Sequence, residues 1–121
     1  MQFLLLIYHA EAEWNKQTPA DMGVMYKDYL KFTQEIKDSG HYIGGNPLKP
    51  VSTATTVRVR DAKRVVTDGP FAETKEQLGG YYLVNASDLD EAISIAARIP
   101  GARRGSIEVR PIASMDQAAQ A

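Results

Sequence analysis

Along the chain, apolar and polar positions alternate between two periods, that of strands and that of helices. Gln2 to His9 (Gln-Phe-Leu-Leu-Leu-Ile-Tyr-His) is apolar on both alternating faces, and its length favours a strand covered on both sides. Thr18-Pro19-Ala20-Asp21 then predicts a helix start, with Thr18 as N-cap, Pro19 at the first helical position and an acid at the third. Met22, Met25, Tyr29, Phe32 and Ile36 follow at spacings of three and four as one apolar stripe, and Gly40 supplies the left-handed residue of a C-terminal cap. His41 to Gly45 is a short strand running into a loop with Pro47 and Pro50. The β-branched stretch Thr53 to Arg60, a turn at Asp61-Ala62-Lys63 and the return Arg64 to Thr67 predict a hairpin.

Tyr81 to Val84 is a further strand apolar on both faces. Ser87 is expected to cap a helix with Leu89, Ala92, Ile93, Ala96 and Ile99 inward, stopped by Pro100-Gly101. Ser106 to Ile112 alternates, with Ile107 and Val109 on one side and Glu108 and Arg110 on the other. The order reduces to an α+β, ferredoxin-like split β-α-β antiparallel sheet with an inserted β-hairpin. Residues 1–112 form a single domain, and 113–121 a frayed tail. Two helices cover only one face of such a sheet, so the apolar second face calls for a homodimer through the sheet face.

Composition narrows the chemistry. The 121 residues, 44% hydrophobic, suit one domain that buries roughly two-thirds of its unfolded surface without disulfides. Zero cysteines exclude zinc ribbons, iron–sulfur clusters and thiol nucleophiles. Fourteen basic against fifteen acidic residues leave a net charge of −1, which favours no nucleic acid partner and no membrane partner. The longest apolar run is far below the ~20 residues of a membrane span and lacks signal-peptide flanks, so a cytoplasmic location is expected.

Two histidines, His9 and His41, lack zinc-binding helical spacing, and no metal is expected. His9, at a strand exit, is a candidate acid or base, or else an edge histidine satisfied by solvent. Asp68-Gly69-Pro70-Phe71 is the most distinctive tetrapeptide: Asp68 either accepts hydrogen bonds within its own turn or serves as a partly desolvated base beside Phe71, Tyr81 and Tyr82. Glu73, Lys75 and Glu76 suit a solvated helical turn, and Arg58, Arg60, Lys63 and Arg64 a solvated basic hairpin tip. Gly44-Gly45 and Gly79-Gly80 lack phosphate-cradle spacing and suit turns or bulges.

The stretch Val66 to Tyr81 (Val-Thr-Asp-Gly-Pro-Phe-Ala-Glu-Thr-Lys-Glu-Gln-Leu-Gly-Gly-Tyr) resembles the signature of the DGPF-domain branch of the YCII-related protein family. Thr53 to Val59, Phe3 to Tyr8 and Gly105 to Pro111 are similar to the same family, so the likeness covers the chain to about Ile112. The resemblance implies a ferredoxin-like fold of the dimeric α+β barrel type. It also implies, for some members, cofactor-free enzymes acting on small ring compounds through a His on the first helix and an Asp after the first strand. Those two positions fall here on Tyr29 and on Ala10, flanked by His9 and Glu11. DGPF proteins are also associated with extracytoplasmic-function sigma factors. Two functions are therefore expected. The first is a homodimer with a small-molecule pocket and cofactor-independent acid-base chemistry, with Asp68 and His9 handling protons and Tyr29, Phe71, Tyr81 and Tyr82 binding the ligand. The second is a non-catalytic dimeric ligand-sensing or regulatory accessory module.

Overall fold

The computed structural model describes residues 1–114. The frayed ending expected over 113–121 lies, from 115 on, outside the described residues. Six strands and three α-helices follow in the order β1 (Gln2–His9), α1 (Glu11–Trp14), α2 (Pro19–Asp38), β2 (Tyr42–Pro47), β3 (Thr55–Arg60), β4 (Lys63–Asp68), β5 (Gln77–Asn85), α3 (Leu89–Ala97) and β6 (Ser106–Pro111). Four strands form an antiparallel sheet in the order β2-β5-β1-β6, and β3-β4 form a separate two-stranded sheet. This α+β topology is compatible with a ferredoxin-like fold.

Local chemistry sets the boundaries. Thr18 accepts from the Asp21 N–H at 3.1 Å while the Asp21 carboxylate accepts from the Thr18 N–H at 3.3 Å, so the expected start of α2 is a reciprocal capping box. Gly40 ends the helix at φ +80°, where an L side chain would be strained. The hairpin turns on Asp61 and Ala62, both at positive φ (52° and 62°), as a two-residue turn matched to strand twist requires. For α3 the cap is Asp88, not Ser87: the Asp88 side chain accepts from the Glu91 N–H at 2.8 Å. Ala92, Ala96 and Ile99 point inward as expected, joined by Ile95, while Leu89 and Ile93 are exposed. Glu73, Lys75 and Glu76 stand in an irregular segment, not a helical turn. There the Thr74 hydroxyl donates to the Glu76 C=O, a local bond that competes with helix.

Three rows of side chains cross the helix-facing side of the sheet. The first is Pro111, Phe3, Val84 and Tyr42; the second Val109, Leu5, Tyr82 and Gly45; the third Ile107, Ile7, Gly80 and Pro47. Phe32 and Ile36 of α2 and Ala92, Ile95 and Ala96 of α3 close over them, joined by Ile99. Each large side chain so buried is worth ~1.5–3 kcal/mol. On the other face Leu4, Leu6 and Leu83 are half-buried beside Glu108 and Arg110, which pair with each other. No helix among the described residues is long and apolar enough to cross a membrane.

Candidate functional site

Between the first half of α2 and the third row of the sheet lies a cavity of ≈570 Å³, inside the ~300–1,000 Å³ range of small-molecule sites. Its inner end is made by Ile7, Tyr29, Thr33 and Tyr82. Met22, Tyr26 and Leu30 form one side of the opening, and Pro47, Leu48 and Pro50 the other. His9, Glu11 and Trp14 complete the lining from β1 and α1. Two glycines put no side chain on this end of the sheet: Gly45 is the second-row residue of β2 and Gly80 the third-row residue of β5, and a Cβ would meet the Tyr82 ring at Gly45 and the Asn46–Pro47 backbone at Gly80.

His9 ends β1, and its ring stacks on Trp14 with centroids 4.9 Å apart and planes at 28°. Gly79 is the extra residue of a bulge, since Ile7 pairs with Gly80 but Tyr8 with Leu78. A side chain at Gly79 would collide with the His9 imidazole, so the glycine gives the ring its place. Among the described residues no group hydrogen-bonds the ring nitrogens of His9, which leaves them to solvent or a ligand.

Tyr29 projects from the middle of α2, and its Oη accepts the Gly101 N–H at 3.1 Å. Gly101 in turn admits the hydroxyl, because a Cβ there would meet it. Burial pushes the Tyr29 phenol up to about 12, with the Gly101 hydrogen bond pulling more weakly the other way. Tyr82 is also raised by burial, against the opposing bond to Thr33 at 2.6 Å. Both phenols therefore stay protonated at neutral pH. The Asn46 amide donates to the Tyr81 hydroxyl at 3.0 Å, and the Glu11 carboxylate accepts the Val51 N–H at 2.9 Å.

Of the residues expected to form a site, His9, Tyr29, Tyr81 and Tyr82 line this one cavity. Asp68 and Phe71 are outside its lining. Asp68 is exposed at the end of β4, and among the described residues none donates a hydrogen bond to its carboxylate. Phe71 is 79% exposed. The hairpin carries both away from the helix-facing rows. His41 belongs elsewhere too, between Ser39 Oγ at 2.7 Å and Glu91 Oε1 at 3.1 Å. The Ser87 N–H first, and His41 to a lesser extent, hold the Glu91 carboxyl below the usual range. Among the described residues no three His, Asp or Glu side chains gather to hold a metal. Sequence reasoning named Glu11 only as a neighbour of Ala10 and missed Trp14 and the flanking apolar residues, although Trp14, five residues past a strand-end His, was a signal in plain view.

A family profile described as YCII-related domain matches residues 1–116. The chain is also 37% identical over 118 residues to an uncharacterized protein of Rhizobium meliloti (strain 1021), with 93% of each chain covered.

Proposed function

The chain belongs to the YCII-related domain family, and on that premise we propose that it binds a small uncharged organic molecule in the α2 cavity and moves a proton on it. The DGPF branch is the part of the family its Val66 to Tyr81 stretch fits. The observation that carries the reading is the presence in one ≈570 Å³ cavity of an imidazole, His9, and a phenol held protonated, Tyr29. Because Tyr29 Oη accepts from Gly101, its own proton is available to a ligand oxygen. His9 takes a proton from the adjacent carbon or hydroxyl as Tyr29 steadies the negative charge on that oxygen, and returns it at a second position. The apolar lining excludes water from this exchange. No cofactor enters the scheme, and Asp68 and Phe71 have no part in it.

Nile red, neutral and apolar, tests the cavity. We expect saturable binding that changes the fluorescence of Trp14, the only tryptophan. Met25→Glu should weaken it at least about tenfold by placing a carboxylate against the apolar lining. No saturable binding, or equal affinity in the variant, would sink the proposal.

The same reading includes a homodimer through the open sheet face, supported by Leu4, Leu6 and Leu83 with no helix over them. Light scattering at micromolar concentration should give the dimer mass; a monomer would withdraw the pairing. The regulatory-module reading draws on the hairpin, whose Val57 and Val59 are 58% and 64% exposed, as if awaiting a partner. The two readings divide at His9. An enzyme speeds deuterium uptake from D2O into a bound cyclic ketone and loses this in His9→Ala, whereas a module does neither.

A further inference from the structure

Leu48 and Pro50 line the cavity on the side opposite α2, and the segment they begin, Leu48 to Thr53, leads directly into the hairpin. It has few hydrogen bonds to the rest of the molecule. The Leu48 N–H donates to the Gly79 C=O at 2.9 Å, and the next anchored atom is the Val51 N–H, which donates to Glu11 Oε1 at 2.9 Å. Lys49 and Pro50 lie between, and Pro50 has no N–H to contribute. The remaining bonds of Thr53 and Ala54 N–H turn back onto Pro50 and Val51 themselves. Glu11 thus fixes the middle of this wall.

Glu11 is itself held from the other side. Its backbone N–H donates to Gln77 Oε1 at 2.9 Å, and Gln77 Nε2 donates to the Thr74 C=O. Nearby, the Ser106 hydroxyl donates to Glu76 Oε1 at 2.8 Å, tying the same stretch to β6. Thr74, Glu76 and Gln77 all belong to Val66 to Tyr81, the stretch whose Asp68 and Phe71 are outside the cavity.

We propose that Glu11 is a positioning residue: its carboxylate latches the Leu48 to Thr53 wall to α1, and the 74–77 segment holds the latch in place and does no chemistry. A carboxylate accepting a backbone N–H is a charge-assisted bond, stronger than the neutral turn bonds around it. Its release frees the wall at its midpoint while Leu48 stays pinned to β5, which widens the opening without disturbing the sheet. The latch stands on hydrogen-bond geometry alone; its effect on ligand traffic rests on the cavity reading above.

Amide hydrogen exchange read by NMR, together with Nile red kinetics, tests both parts. In Glu11→Ala the Val51 amide should exchange about tenfold faster or more, with the Leu5 and Tyr82 amides of the sheet unchanged. Glu11→Gln, which keeps an acceptor oxygen, should restore most of the protection. A ligand-facing role for the charge predicts instead that Gln behaves as Ala. Nile red should both enter and leave faster in Glu11→Ala. Gln77→Ala, which leaves the carboxylate intact, should shift Val51 in the same direction and serves alone if Glu11→Ala does not fold. Unchanged Val51 protection, or its loss together with Leu5 and Tyr82, overturns the latch. If Nile red fails to bind the wild type, the cavity reading falls while Val51 exchange still decides the latch.

Discussion

The two halves of α2 face the same sheet and end in opposite states. Phe32 and Ile36 are 3% and 0% exposed, whereas Met22 and Tyr26 of the first half are 44% and 66% exposed. The helix is continuous from Pro19 to Asp38, so the contrast originates in what lies beneath it. Under the second half, Phe3, Val84, Leu5 and Tyr82 rise to meet the helix, and the Tyr82 ring sits edge-on to Phe32 at 5.2 Å. Under the first half the sheet has Gly80 and Gly45, and the cavity lies between it and the helix. The difference lies in the side chains of the strands beneath, with no change in the helix. Packing is concentrated at one end of a single element and the cavity at the other.

The sharpest way to break that contrast is to truncate one side chain from each half. Phe32→Ala removes a ring from a filled core and should cost about 3–5 kcal/mol. Met22→Ala removes a side chain already facing the opening and should fall within ~0.5 kcal/mol of the wild type. Equilibrium urea denaturation of both variants, with unchanged slope, measures the difference. Similar losses in the two would mean that the halves are packed alike and that the cavity is closed in solution.

Most of the strand and helix order was legible in the sequence because it is written in local chemistry. The Thr18 box, Gly40, the Asp61-Ala62 turn and the alternation of Ile107 and Val109 each act within a few residues. The stripe from Met22 to Ile36 was legible as helix but not as two environments, since its fate depends on Gly45 and Gly80, which reach it only through strand register. The same limit holds for α3, where Ile95 and not Ile93 is buried according to how the helix lies on the sheet. In the site, His9 and Tyr29 were legible because chemistry-bearing side chains at a strand exit and on an apolar stripe stand out. Asp68 stood out equally, yet the hairpin carries it to the surface, a consequence of β3 and β4 pairing only with each other. Glu11 was legible only as the acid beside Ala10, and its role was not, because its partners, Val51 and Gln77, are 40 and 66 residues away.

Tyr29 sits where the two halves of α2 meet, and Tyr29→Phe measures how much the boundary contributes to each. At neutral pH the loss of the hydroxyl leaves the part-buried Gly101 N–H without its acceptor, which should cost ~1 kcal/mol. The pH dependence carries the sharper sign. Burial raises the Tyr29 phenol in the folded chain to about 12, above its ordinary 10.0, so the unfolded chain releases this proton first. The stabilisation is present in full below pH 10 and is lost as pH rises from there toward 12. Phenylalanine has no proton to lose, so the gap between wild type and variant should narrow over that interval while other titrating groups affect both alike. Urea melts of the two proteins from pH 7 to pH 11.5, with tyrosinate absorbance followed in parallel, measure the gap. A constant gap across that range would mean that the phenol is solvated in the folded state. Tyr29 would then belong with Met22 and Tyr26 in the open half of the helix, not with Phe32 and Ile36.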